Sequence, residues 1–112
     1  MTDGIQLTAE DLLAGAEATY DIAVPPEVLA PGQPGAARAL TVRIRPVTIG
    51  AFQLIMRAAR GDAGLIPLLL IKEALAEPAM SLEQVKRMHL GLVNFLIGHI
   101  REISGLTEKK SP

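Results

Sequence analysis

Apolar and polar residues alternate in two stretches of the chain and recur with a helical period in four others. Tyr20, Ile22 and Val24 alternate with Asp21 and Ala23, and Leu40, Val42 and Ile44 alternate with Thr41, Arg43 and Arg45. A period of two marks strands with one face buried. Pro25-Pro26 ends the first and Pro46 the second, because proline has no N–H to give to a ladder. Residues 25–39 hold Pro31, Gly32, Pro34 and Gly35 and show no period, so they are expected to form a long loop joining an antiparallel pair.

The helical stretches carry their own start signals. Thr8 can cap a short helix over 7–18, with Glu10 and Asp11 in the first turn, where the dipole favours negative charge, and Leu12, Leu13 and Ala16 as a thin apolar stripe. Thr48 can cap a helix over 49–60, whose Ile49, Phe52, Ile55 or Met56, and Ala59 fall on one side. Gly61, Asp62, Ala63 and Gly64 then form a turn. The next helix is expected over 65–77, with Pro67 tolerated in its first turn. Its leucines and isoleucines wrap most of the circumference, so it is either central to the fold or half of an interface. Ser81 and Gln84 make a capping box for a last helix over 82–104, closed by Gly105. At that length it would span roughly 35 Å. Its inner stripe is Leu82, Val85, His89, Leu92, Leu96, Ile100 and Ile103. The expected fold is α+β, mostly α. A two-stranded antiparallel ribbon (20–24 and 40–45) packs on three C-terminal helices (49–60, 65–77 and 82–104), with a short N-terminal helix. One domain covers 1–106, followed by a polar tail at 107–112.

Composition changes this picture in three respects. Hydrophobic residues reach 49% while aromatics are 3%, so aliphatic side chains build the core and base-stacking platforms are disfavoured. The absence of cysteine excludes disulfides and thiolate metal sites and fits a reducing, cytoplasmic setting. Early acids without an apolar core argue against a secretory signal, and no run approaches the ~20 apolar residues of a membrane span, so a soluble cytoplasmic protein is expected. The net charge of -1 hides a segregation. Asp3, Glu10, Asp11, Glu17, Asp21 and Glu27 are the only charges in residues 1–37, and Arg38, Arg43, Arg45, Arg57 and Arg60 the only ones in 38–60. Either the acidic arm folds beside the basic stretch and the two neutralise each other, or the patches steer head-to-tail or partner docking, with self-association among the possibilities.

Candidate chemistry is sparse. On one continuous helix His89 and His99 would sit about 80° out of register, so they do not converge on a metal. Glu10 and Asp11 are explained as first-turn dipole partners. The glycines at 61 and 64 lie between helices and lack the lysine of a phosphate loop. No catalytic, cofactor or metal residue is expected, and the chain reads as a non-enzyme. The candidate partner-binding set is Arg43 and Arg45 on one strand face, Arg57 and Arg60 three apart on the next helix, and Leu68, Leu69 and Ile71 of the apolar helix. Paired arginine forks also suit phosphates, which keeps a small nucleic-acid-binding regulator as an alternative. The absence of a basic excess makes nucleic acid the weaker partner.

Val24-Pro25 closing a short strand, a loop, the junction Val42-Arg43-Ile44-Arg45-Pro46-Val47-Thr48 and a compact apolar helical half together resemble the tail assembly chaperones of phages and small accessory proteins of contractile tail-like particles. The resemblance covers about residues 20–105. It implies a non-enzymatic protein, without cofactor, that binds tape-measure or tube subunits and holds them soluble before they polymerise. A structural subunit retained in the particle is the neighbouring alternative. The acidic arm and the long Pro/Gly loop have no counterpart in that pattern.

Overall fold

The computed structural model describes residues 6–32 and 40–106. It bears out the α+β, mostly helical class, with helices around an antiparallel sheet. A five-residue helix α1 (Ala9–Leu13) and a 3-10 turn (Ala14–Glu17) precede strand β1 (Tyr20–Val24). A one-turn helix α2 (Pro26–Leu29) occupies part of the expected loop; residues 33–39 of that loop, like the tail at 107–112, lie outside the described residues. Strand β2 (Leu40–Ile44) runs antiparallel to β1, with Tyr20 opposite Ile44 and Ile22 opposite Val42. The even register sets Ile22, Val24, Val42 and Ile44 on the inner face and Asp21 and Arg43 on the outer one.

Arg45 and Pro46 leave the strand and Thr48 starts α3 (Ile49–Ala59), accepting a hydrogen bond from Ala51 N–H at 3.1 Å. The connection is fastened at its middle: Val47 N–H donates to Ser104 Oγ at 2.8 Å, tying it to the far end of the last helix. Helix α3 ends at Arg60, which takes the left-handed conformation (φ 50°), and Gly61 continues the turn at φ 81°. The Asp62 carboxylate accepts Gly64 N–H at 3.0 Å and closes it.

Helix α4 (Leu65–Ala74) is shorter than the sequence suggests, and its expected end is a third strand. Residues 75–77, expected as helix, form β3 (Leu75–Glu77), which pairs antiparallel with β2 and turns the expected two-stranded ribbon into a three-stranded sheet of order β1-β2-β3. The cause is local and tertiary at once. A residue before proline is driven out of the α region, here Glu77 before Pro78, and the open edge of β2 supplies backbone partners.

The expected helix over 82–104 is also two elements. Helix α5 (Leu82–Val85) has the Ser81–Gln84 capping box, and α6 (Leu90–Ser104) begins again after His89. His89 adopts extended backbone angles and its Nδ1 accepts Leu92 N–H at 3.3 Å, so it caps α6 instead of lying on an inner stripe. It is exposed, not a core histidine. Both α5 and α6 pack on α4.

The core lies between the inner face of the sheet, α4, α5 and α6. Ile44, Ile71, Ala74, Leu75, Val85, Val93, Leu96 and Ile100 form one buried cluster. Among the described residues no polar or charged side chain is buried. No described helix is long and apolar enough to cross a membrane.

Candidate functional site

The period of α3 aims Ile55 and Ala59 inward, where both are buried. Leu54 falls at the edge of that stripe and is 60% exposed. With Ala51 and Ala58 it forms one wall of a groove of about 340 Å³, whose opposite wall is Leu69, Lys72 and Glu73 of α4. The Gly61–Gly64 turn produces this arrangement by folding α4 back along α3. Arg57 lies three residues from Leu54, hence beside it on the helix surface, and Met56 on the same helix is 44% exposed. Leu54 therefore stands next to an arginine on the helix surface, whereas Ile49, also exposed, does not.

The candidate set from the sequence divides. Leu69 lines this groove, Arg57 neighbours its Leu54 on α3, and Arg60 lies beyond the helix as its C-cap. Leu68 is half-buried against the core cluster. Ile71 is fully buried at 0% exposure and belongs to the core, so it is not a surface for a partner. Arg43 and Arg45 are committed to the chain itself. Arg43 Nε donates to Asp21 Oδ1 at 2.9 Å across β1, and its guanidinium lies 3.8 Å from Glu77 of β3. The hydrogen bond that Arg43 donates to Asp21, then the charges of Asp21 and Glu77, raise the Arg43 pKa above its usual value. Arg45 Nε donates to the Glu73 carbonyl at 3.3 Å, placing a cation at the C-terminal end of α4, where the helix dipole favours it.

Other features escaped the sequence reading. Ile49, at 79% exposure, faces outward despite its place in the helical period of α3. Leu7, Leu12 and Leu13 of the N-terminal arm are 64%, 71% and 62% exposed, and α1 buries no residue. The thinness of that stripe is the one signal the sequence offered. Asp11 is held below the usual carboxylate range, first by the Thr8 backbone N–H and then by the Thr8 hydroxyl, so the arm is self-capped. A second concavity, about 200 Å³, lies under the sheet between β1, β3 and α6 and is lined solely by apolar residues, among them Met80 and Met88.

The groove combines apolar walls with Lys72 and Glu73 on the α4 side, and Arg57 neighbours it on α3. Among the described residues no three His, Cys, Asp or Glu side chains gather as metal ligands. Comparison with known proteins finds no family model that matches the chain, no similar curated protein and no similar solved structure.

Proposed function

We propose that the chain is a non-enzymatic assembly and interaction protein of a phage tail or tail-like particle, made in the cytoplasm, which binds tube or tape-measure subunits through the α3–α4 groove. The observation that carries the binding role is Leu54, a large apolar side chain 60% exposed on the rim of a groove and flanked by Arg57. Exposed apolar area rimmed by charge marks an interaction surface. The tail assignment draws on the Val42–Thr48 junction, which resembles those of tail assembly chaperones. The arginines of that junction hold the sheet and α4, so the junction positions the groove instead of forming it.

Co-expression with tube and tape-measure subunits of a phage tail tests the reading. A tagged chain is expected to retain one of them in solution, and Leu54→Asp to weaken that retention by at least about tenfold, a loss of roughly 1.4 kcal/mol. Failure to retain any such subunit, or a salt-sensitive affinity for DNA in their place, would overturn it. Recovery of the chain in stoichiometric amount from purified particles would instead mark a structural subunit.

A further inference from the structure

We propose that the α3–α4 groove also takes the N-terminal arm of a second copy of this chain, so that the protein associates with itself head to tail. The inference rests on the groove being a docking site, and it names an occupant whose chemistry is on the page. The arm carries Leu7, Leu12 and Leu13, each more than 60% exposed. Its α1 packs against the 3-10 turn that follows it and buries nothing. A helix of five residues is far below the ~12–15 needed for stability in water. The reciprocal Thr8–Asp11 capping box preforms it, and apolar contact with another surface would complete it.

Charge fits the same pairing. Residues 1–37 contain six acids and no base, and on the described arm Glu10, Asp11 and Glu17 flank the leucines. The groove lining carries Lys72 and Glu73; outside it Arg57 lies beside Leu54 on α3, and Arg60 caps that helix with Asp62 in the turn that follows. Among the described residues neither Arg57, Arg60 nor Lys72 has an ion-pair partner within its own chain. An acidic amphipathic arm thus meets a basic-rimmed apolar groove, the helix-in-groove mode of recognition. Because arm and groove are different surfaces, the contact is heterologous: it closes as a reciprocal pair or a ring, or extends as a filament.

Light scattering during size-exclusion chromatography tests this with complementary variants. The unaltered protein is expected above the 11.9 kDa monomer mass, with the excess growing as concentration rises and shrinking at high salt. Leu12→Asp with Leu13→Asp disables the arm; Leu54→Asp with Ala58→Glu disables the groove. All four residues are exposed, so far-ultraviolet circular dichroism should confirm that both variants fold. Each alone is expected to run as a monomer, and their equimolar mixture to recover a species of twice the chain mass, since one intact arm then meets one intact groove. A monomeric parent at all concentrations, an arm variant of unchanged mass, or a mixture that stays monomeric would each sink the inference. If the arm variant still retains a tail subunit, self-association and partner docking are separate. Their failures are then distinguishable.

Discussion

Replacing Ile71 by alanine separates the core from the docking surface. Ile71 lies on α4 two residues from Leu69, yet it is fully buried among Ile44, Val85, Leu96 and Ile100, while Leu69 lines the groove. The substitution removes three carbons, worth about 2.4 kcal/mol at ~0.8 kcal/mol per buried methylene. Incomplete collapse around the gap adds to this, and buried Ile→Ala changes span roughly 2–5 kcal/mol, so about 3.5 kcal/mol is expected. At ~2.1 cal/mol/K per residue the unfolding entropy of a chain this size is about 0.24 kcal/mol/K, which converts the loss to a fall of about 15 °C in Tm. A domain of this length holds roughly 6–17 kcal/mol in all, so the variant should still fold. Ile71→Val, leaving two of the three carbons, should cost about 1 kcal/mol. Urea unfolding followed by circular dichroism at 222 nm measures both, and an unchanged slope would show that the unfolded state is unaltered. A loss below about 1 kcal/mol for the alanine variant, or one that depends on protein concentration, would mean that Ile71 faces a partner.

Three further outcomes are expected. His89→Ala removes the side-chain cap of α6 and the 2.8 Å hydrogen bond from Nε2 to the Val28 carbonyl; a stability loss of about 1–2 kcal/mol is expected, with His89→Asn recovering part of it, as chemical denaturation would show. Arg43→Glu sets three carboxylates side by side across the sheet, at positions 21, 43 and 77. It should lower Tm and be relieved both by 1 M salt and by a second change, Asp21→Arg; failure of that charge swap to rescue would show that Arg43 acts through packing instead. The folded Asp11 carboxyl sits below its unfolded value, so its capping of α1 is complete above the usual carboxylate range and is lost as pH falls through the lowered value. NMR titration of the Thr8 amide, which donates to Asp11 Oδ2 at 2.9 Å, should report that loss, and Asp11→Asn should blunt the response.

The parts of the fold that were legible in the sequence are those fixed within a few residues. β1, the Thr48 cap and the Ser81–Gln84 box depend on local alternation and on side chains reaching their own backbone, and each forms where the pattern places it. The misplaced boundaries depend on distant partners. Leu75–Glu77 continues an apolar helical pattern and becomes a strand because β2 offers an edge. His89 occupies an inner-stripe position by periodicity, yet it breaks the helix, because its ring joins the start of α6 to the carbonyl of Val28 sixty-one residues earlier. For the site, the sequence singled out arginines by number but not by partner. Arg43 and Arg45 are taken by carboxylates and a carbonyl that only the sheet and α4 bring near.

That division explains the segregated charge. In an antiparallel pair the register decides which side chains face each other, and Asp21 opposite Arg43 is imposed once Ile22 and Val24 are turned to the core. A one-residue slip would drive Asp21 to the apolar face, so the pair opposes misregister as well as adding attraction. Glu10 and Glu17 are under no such constraint, because they stand on an arm with no buried residue, and Arg57 stands on the outer surface of α3 with Arg60 as its C-cap. Charges needed only to fasten the sheet would have no reason to extend to these positions. The same two runs of opposite sign thus have two parts. The part on the strands is consumed in holding the ribbon, and the part on the arm and α3 sits beside exposed leucines. Under the proposed association, these charges would attract at long range and the leucines would supply short-range burial, which is how steering and affinity combine at a docking surface.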